Sequence, residues 1–185
     1  MTLVLVRHAE PVAPGDPRYE ENDRPLSNHG RRQAEALAGE LARSSVAAIY
    51  SSPYPRAVET VKPLAALIEK RVSVEQDLRE RLLAPGPLPD WLEHLRHSWA
   101  DFSWRLPGGE SSAEAQSRAT RALDGIRERH VGERVVVASH GNLIALALHA
   151  LLPKHVDAAF WAAMPMPAVY TIEPDGRVSG PGLGA

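Results

Sequence analysis

Two short apolar runs constrain the fold of this chain more than any other feature of its sequence. Residues 3–6 and 135–138 have the length of buried strands, and a histidine stands two residues after the end of each run. Segments with helical periodicity separate runs of this kind along the chain. Such alternation is typical of a parallel sheet with helices on both faces, because a strand covered on both sides is apolar throughout. We therefore predict an α/β fold with three layers, αβα, and a mostly parallel sheet.

Local signals place the other elements in the same alternating order. Ser27 is the predicted N-cap of an amphipathic helix, and Ser111 opens another helix through a capping box. A third helix is predicted to begin at Pro53, with Ser52 as its N-cap. Pro63 is expected to kink or break this helix. The predicted strands are residues 3–6, 47–50, 71–75, 134–138 and 168–173, and the predicted helices cover about residues 27–43, 111–129, 143–152 and a segment that begins at 53.

Length and charge favour one domain that acts on a small ligand. The chain has 185 residues, with 21 Lys and Arg against 23 Asp and Glu, and a formal net charge of −2. A single domain over residues 1–185 can bury a complete α/β core, and the near balance of charges argues against nucleic acid as a partner. The absence of cysteine excludes disulfides and thiol catalysis. The first apolar run ends at Val6, too short for a signal peptide or a membrane span, so we expect a cytoplasmic protein that does not associate with membranes.

Four basic side chains are expected at one edge of the predicted sheet. Arg7 and His8 end the first strand. His140 follows a later strand, and Arg56 lies in the first turn of a helix that follows another. If these strands are parallel, their carboxyl ends meet at the edge where open α/β sheets bind ligands. Arginine supplies permanently charged donors for phosphate or carboxylate, and histidine supplies a nitrogen that can act as base, nucleophile or metal ligand.

Five short blocks of this sequence resemble the histidine phosphatase superfamily, which includes the cofactor-dependent phosphoglycerate mutases and many small phosphatases. Residues 5–10 (LVRHAE) resemble its defining Arg-His motif, and residues 139–142 (SHGN) resemble its last block. The three blocks between them are residues 25–34 (PLSNHGRRQA), 51–60 (SSPYPRAVET) and 77–80 (DLRE). All five occur in family order between residue 3 and about residue 148, which is far more specific than any single block.

The resemblance implies a site for phosphoryl transfer. His8 is the predicted nucleophile, whose neutral imidazole attacks phosphorus and becomes phosphohistidine. Arg7 and Arg56 are predicted to hold the equatorial phosphate oxygens, with His140 as a third donor. His8 and His140 could instead ligate a metal, but the two arginines would repel the cation, so we expect neither a metal nor a cofactor.

Two glutamates are candidates for the acid–base role. A leaving alkoxide needs a proton, and the water that later attacks phosphohistidine must lose one. The resemblance assigns this role to Glu80, and Glu10, two residues after the nucleophile, is the alternative. Asn142 is a candidate phosphate ligand, although the N-cap of the following helix would be an equally good role for it.

Three functions are open at this stage. The first is a phosphomonoester hydrolase, the second a cofactor-dependent phosphoglycerate mutase, and the third a non-catalytic protein that binds a phospholigand. Mutases usually continue from Arg-His into glycine and carry a His-Tyr-Gly stretch after the acidic residue, whereas this chain has Ala9 and residues 81–83 (RLL) there. These differences favour the phosphatase, and the complete set of catalytic residue types disfavours a purely binding role. The expected partner is a small phosphomonoester, and a homodimer is compatible with the sequence.

Residues 82–110 interrupt the alternation and are predicted to form a small helical cap insertion. The segment holds Trp91, Trp99 and Trp104, three of the four tryptophans of the chain. These rings either pack onto the sheet as structural residues or contact the substrate beyond its phosphate. In the family that the chain resembles, the region at this point commonly forms such a cap.

Overall fold

Strands and helices alternate along most of the chain. The computed structural model describes residues 1–86 and 88–183, which contain six strands and six α-helices. In chain order these are β1 (Thr2–Arg7), α1 (Asn28–Leu41), β2 (Ala48–Ser51), α2 (Pro55–Leu67), β3 (Val72–Val74), α3 (Trp91–Ala100), α4 (Ser112–Arg129), β4 (Arg134–Ser139), α5 (Gly141–Leu151), α6 (Ala158–Ala163), β5 (Ala168–Ile172) and β6 (Val178–Ser179). Within those described residues, no helix combines the length and the apolar character needed to cross a bilayer.

The strands form one sheet in the order β3-β2-β4-β1-β5-β6. The first four strands of this order run parallel, whereas β5 and β6 at one side each pair antiparallel with the strand before them. The register aligns Arg7 with Ser139, so the carboxyl ends of β1 and β4 are level. Level strand ends bring the residues that follow each strand to one edge of the sheet.

An apolar layer covers each face of the sheet. Leu3 and Leu5 point to the face that α4 and α5 cover, and Val4 and Val6 point to the face that α1 and α2 cover. Successive side chains of a strand point to opposite faces, and both faces are covered, so β1 is apolar and buried from Leu3 to Val6. The predicted three-layer αβα fold with a mostly parallel sheet is confirmed.

The predicted start of α2 is wrong. The helix begins at Pro55 with Tyr54 as N-cap, and not at Pro53 with Ser52 as N-cap. Ser52 has the right side chain for a cap, but its hydroxyl lies 2.7 Å from Nε2 of His140. The same hydroxyl accepts the N–H of Tyr54 at 3.3 Å, so the local contact is present as well, but the regular helix starts only at the second proline.

The predicted break at Pro63 is also wrong. α2 continues through Pro63 to Leu67. A proline inside a helix lacks the N–H that would complete the backbone hydrogen bond. Val61 and Leu64 on either side of it are fully buried against the sheet, and this packing stabilises the helix in spite of the missing bond.

The start of α1 is fixed by a close contact with the chain that follows β1. Ser27 is the N-cap, as predicted, and its Oγ accepts the N–H of Gly30 at 2.9 Å. A Cβ on Gly30 would lie 2.0 Å from the carbonyl oxygen of Glu10. Only glycine lets the first turn of α1 pack so closely on this backbone, which holds the loop after His8 in place.

The segment predicted as a cap contains α3 and irregular chain on either side of it. Pro87 in this segment lies outside the described residues. Leu95 and Ser98 are the buried residues of α3. Arg81, which is itself buried, donates from Nη1 to Oγ of Ser98 at 2.6 Å, so a buried polar contact ties α3 to the chain just before the segment. The predicted capping box of Ser111, which opens α4, is present.

The three tryptophans of the segment have different environments. Trp99 packs against the apolar layer beneath α4 and α5, as expected of a tryptophan that packs onto the sheet as a structural residue. Trp104 stacks on His94 with 5.8 Å between ring centroids. Trp91 is 52% exposed. Helix α6 was not predicted, since its six residues are too few to show a helical period.

Candidate active site

The four basic side chains predicted to converge lie together at the carboxyl edge of the sheet. Arg7 is the last residue of β1, and His8 follows it. His140 occupies the N-cap position of α5, directly after β4, and Arg56 is the second residue of α2. The rings of His8 and His140 are 5.2 Å apart between centroids. Both rings and Arg56 are buried, so the cluster is largely shielded from water.

The His8 ring is held as a neutral imidazole with a free Nε2. Its Nδ1 lies 2.8 Å from the carbonyl oxygen of Ala9. Because a carbonyl can only accept, Nδ1 carries the proton and Nε2 carries the lone pair. Burial, reinforced by the charges of Arg56 and Arg7, lowers the pKa of His8 to about 3. The ring therefore stays neutral at neutral pH, and Nε2 is able to attack an electrophile.

The His140 ring is oriented by Ser52. Nε2 of His140 lies 2.7 Å from the Ser52 hydroxyl, and Nδ1 is buried with no partner among the described residues. Burial, followed by the charge of His8, lowers the pKa of His140 well below its ordinary value, so the ring is neutral and holds one N–H. When Ser52 donates to Nε2, that N–H is on Nδ1. A buried donor without a partner is rare in a folded protein, and this one is suited to a phosphate oxygen.

Arg7 lies against the first turn of α5. Its Nη1 donates to the carbonyls of Met164 and Pro165, the latter at 3.3 Å. A Cβ on Gly141 would lie 2.9 Å from Nε of Arg7 and 3.0 Å from Cζ, so a larger residue at the start of α5 would displace the Arg7 guanidinium. Burial lowers the pKa of the Arg7 guanidinium. A charge that is poorly solvated in this way favours the binding of an anion beside it.

Arg56 has neighbours that the sequence analysis missed. Its Nη1 donates to the backbone carbonyl of Glu21 at 2.8 Å, and its Cζ lies 5.0 Å from the centroid of the Tyr54 ring. The Glu21 carboxylate pairs with Arg24 and lies 3.9 Å from Nη2 of Arg56. Arg24 is buried, and its charge helps to lower the pKa of His8. Arg24 stands directly before the block at residues 25–34, and this position is the one sequence signal for its place near the site.

Thr60 connects the chain after the nucleophile to α2. Its Oγ1 accepts the N–H of Ala9 at 2.9 Å and donates to the carbonyl of Arg56 at 2.7 Å. The hydroxyl therefore fixes the backbone next to His8 relative to the helix that carries Arg56. Thr60 belongs to the block at residues 51–60, but its partner is 51 residues away in the chain, so sequence reasoning did not assign it this role.

Glu80 lies at the N-terminus of α5. One carboxylate oxygen accepts the N–H of Leu143 at 3.0 Å and that of Arg81 at 2.9 Å, and the other accepts the N–H of Asn142 at 3.2 Å. Burial raises the pKa of Glu80, and these N–H groups together with the charge of Arg56 offset part of that effect. A raised pKa keeps the proton on the carboxyl to a higher pH, which suits a general acid.

Two buried arginines hold the loop that carries Glu80. Arg118 donates to the carbonyl of Asp77 at 2.6 Å and forms an ion pair with Glu110 at 2.7 Å. Arg81 donates from Nε to the carbonyl of Glu110 at 2.8 Å. Because Arg118 belongs to α4 and Glu110 ends the segment predicted as a cap, the position of Glu80 depends on how these two regions pack.

Glu10 and Asn142 lie in different environments from that of Glu80. Glu10 is exposed, and its carboxylate accepts the hydroxyl of Ser27 at 2.6 Å. The alternative role of Asn142 as N-cap is wrong, because α5 begins two residues earlier than predicted and His140 holds that position. Asn142 donates its backbone N–H to Glu80. Its side-chain Oδ1 is buried and has no partner in the part of the chain that the structure describes.

The match to a known family covers almost the whole fold. Residues 3–179 match the histidine phosphatase superfamily (branch 1), and the chain belongs to this family. Phosphoserine phosphatase 1 of Hydrogenobacter thermophilus is 34% identical in an alignment 170 residues long, which covers 86% of this chain and 80% of that protein. Phosphoglycerate mutase-like protein 4 of Arabidopsis thaliana is 34% identical in an alignment 154 residues long, which covers 77% of this chain and 67% of that protein.

Solved structures share the same architecture. YhfR of Bacillus stearothermophilus matches with a TM-score of 0.80 at 29% identity, covering 100% of this chain and 98% of that one. A mycobacterial glucosyl-3-phosphoglycerate phosphatase in complex with VO3 matches with a TM-score of 0.78 at 27% identity, covering 97% and 96%. The family predicted from the five sequence blocks is thus confirmed.

Proposed function

We propose that this protein is a phosphomonoester hydrolase that works through a phosphohistidine on His8. The observation that carries the proposal is the neutral His8 imidazole, with the lone pair on Nε2, beside the half-buried guanidinium group of Arg7 and the buried one of Arg56. Phosphoryl transfer needs a positioned nucleophile and fixed positive charge around the phosphate oxygens. Membership of the histidine phosphatase superfamily supports the same assignment.

In the first half-reaction, Nε2 of His8 attacks phosphorus, so that a P–N bond forms as the P–O bond to the alcohol breaks. Arg7 and Arg56 hold the equatorial oxygens, and Nδ1–H of His140 donates to one of them. Glu80 gives its proton to the leaving alkoxide. The products are the free alcohol, phosphohistidine and ionised Glu80, whose new charge the N–H groups of α5 stabilise.

In the second half-reaction, water attacks the phosphorus of phosphohistidine. The Glu80 carboxylate takes a proton from that water, and the P–N electron pair returns to Nε2 of His8. Inorganic phosphate then leaves, and both residues are restored to their starting states. The cycle uses side chains of this chain and water, with no cofactor in any step.

Hydrolysis is proposed over mutase activity, although relatives with both kinds of name exist. Ala9 stands where mutases usually have glycine, and Arg81 stands where their His-Tyr-Gly stretch would begin. We propose further that residues 1–185 act as one domain on a small phosphomonoester. The cytoplasmic location and a homodimer stay predictions from the sequence.

A trapping experiment tests the nucleophile. Rapid alkaline quench of the enzyme with a labelled phosphomonoester should give an acid-labile, base-stable label on His8, and His8→Ala should lose both the label and turnover. His29→Ala is the matched control, since His29 is an exposed histidine of α1 and its loss should leave labelling unchanged. Full turnover in His8→Ala would end the phosphohistidine proposal.

A further inference from the structure

An open cleft of about 730 Å³ extends from Arg7 between α3 and α6. This volume is in the range of small-molecule binding sites, roughly 300–1,000 Å³. Arg7 lines the cleft, so a phosphate held by this arginine would have the cleft beside it. The walls include Trp91, Leu92 and Arg96 of α3 and Trp161, Met164 and Met166 of α6 and the chain after it.

The walls of the cleft are aromatic and apolar. The rings of Trp91 and Trp161 meet edge to face, with 6.4 Å between centroids and 87° between planes. Trp91 is 52% exposed and Leu92 is 37% exposed. Large apolar side chains that face a concave site beside a polar group are typical of ligand pockets, and stacking on a second aromatic ring would remove this surface from water.

The charged side chains that line the cleft are all positive. Among the described residues that line it, the charged ones are Arg7 and Arg96. Arg7 also belongs to the proposed phosphate site, and Arg96 is an exposed residue of α3. A positively charged leaving group would be repelled here, whereas a neutral or anionic one would not.

We propose that this cleft is the leaving-group subsite, and that it selects phosphomonoesters of alcohols with an aromatic body and no positive charge. The inference rests on the proposed function, because Arg7 belongs both to the cleft and to the phosphate site. A small hydrophilic leaving group would leave Trp91 and Trp161 in water, whereas an aromatic body would cover both rings. Specificity therefore arises beyond the phosphate, on the walls that α3 and α6 provide.

Three alkyl phosphates of similar intrinsic reactivity test the selection. They are 2-(1-naphthyl)ethyl phosphate, ethyl phosphate and 2-aminoethyl phosphate, all of which release a primary alcohol. We expect kcat/KM for the naphthyl ester to exceed that for ethyl phosphate by about 10- to 100-fold, the discrimination that an apolar pocket provides. The aminoethyl ester should be slower than ethyl phosphate. A naphthyl-to-ethyl ratio near one would overturn the proposal.

Substitutions locate the selecting surface. Trp91→Ala and Trp161→Ala should each lower the naphthyl-to-ethyl ratio of kcat/KM, by about 10-fold or more. Trp104→Ala is the matched control: this tryptophan belongs to the same segment, stacks on His94 and does not line the cleft, so the ratio should be retained. An unchanged ratio in both Trp91→Ala and Trp161→Ala would place the selection elsewhere and refute the inference.

A binding measurement separates this inference from the proposed function. Titration calorimetry with 2-(1-naphthyl)ethylphosphonate and ethylphosphonate measures the Kd of each compound without any turnover. If no phosphate ester is hydrolysed, the proposed function fails, and the Kd ratio of the two phosphonates still decides the subsite. Tighter binding of the naphthyl compound that weakens in Trp91→Ala supports the subsite, and equal Kd values for the two compounds refute it.

Discussion

Replacing Glu80 with glutamine separates proton transfer from phosphate binding. Glutamine has the shape of the protonated carboxyl and can accept hydrogen bonds, but it has no proton to transfer. An alkoxide leaving group depends on that proton, whereas 4-nitrophenolate leaves readily without it. We expect Glu80→Gln to slow the hydrolysis of alkyl phosphates by about 10²- to 10⁴-fold, the usual range for general acid catalysis. The conversion of 4-nitrophenyl phosphate to phosphohistidine should slow much less.

The same substitution should have a small effect on stability. The oxygen of Glu80 that accepts from Leu143 and Arg81 at 3.0 and 2.9 Å can be replaced by the glutamine carbonyl. The oxygen that accepts from Asn142 at 3.2 Å becomes an NH₂ group, and one hydrogen bond of about 0.5–1.5 kcal/mol is lost. Because burial already raises the pKa of Glu80, removing its negative charge adds little to this loss. The variant should stay folded, so its rates report chemistry.

The assay must resolve the two half-reactions. Rapid quench with 4-nitrophenyl phosphate measures formation of phosphohistidine separately from its hydrolysis, and product release measures turnover of ethyl phosphate. Arg56→Ala provides the comparison, since it removes a donor that both substrates need and should slow both by about 10²- to 10³-fold. Equal losses for both substrates in Glu80→Gln would refute the acid role. A leaving-group-dependent loss in Glu10→Gln would then assign that role to Glu10.

Two further predictions follow from the packing and the charge of the site. Gly141→Ala should displace Arg7, because the new Cβ would lie 2.9 Å from its Nε, and kcat/KM should fall by about 10²-fold. Gly39→Ala is the control, since Gly39 lies on α1 with no atom within 4 Å of the added Cβ. This variant should keep full activity and gain about 0.5–1 kcal/mol in the free energy of unfolding. Urea denaturation should show stability falling with acid: His8 titrates at about 3 when folded and about 6.5 when unfolded, so its contribution is complete above pH 6.5 and is lost as the pH falls toward 3. Between pH 6.5 and about pH 5, wild type should lose about 2 kcal/mol more than His8→Gln. An active Gly141→Ala, or parallel pH curves for wild type and His8→Gln, would contradict the respective argument.

The strand ends, and the residues they carry, could be predicted because the signals are local. An apolar run long enough for a buried strand, followed by Arg7 and His8 or by His140, needs no knowledge of the rest of the chain. Parallel pairing then determines which residues meet, and the register of β1 with β4 brings them to one edge. The positions of Arg7, His8, Arg56 and His140 at a common edge followed from these two steps.

The residues that orient this cluster could not be predicted, because their partners are far away in the chain. The hydroxyl of Ser52 suggested only a local contact at a helix start, but besides the N–H of Tyr54 it contacts His140, 88 residues later. Arg118 reads as a surface residue of an amphipathic helix, yet it is buried and bonded to the carbonyl of Asp77, 41 residues earlier. Contacts of this kind exist only after the layers have packed, and propensity and spacing carry no information about them.

Burial shifts the pKa of His8, Glu80, Arg7 and Arg56, all of which the proposed reaction uses. It lowers the pKa of His8 to about 3, which keeps the nucleophile unprotonated. It raises the pKa of Glu80, which keeps a proton available for the leaving group. It also lowers the pKa of Arg7 and Arg56, which leaves two poorly solvated charges that an anion would stabilise. The same side chains in an open site would have His8 half protonated near pH 6.5, and the carboxyl of Glu80 would lose its proton at a lower pH than it does here. The sequence blocks therefore identify the reacting residues, and the packed layers around them make those residues fit for phosphoryl transfer.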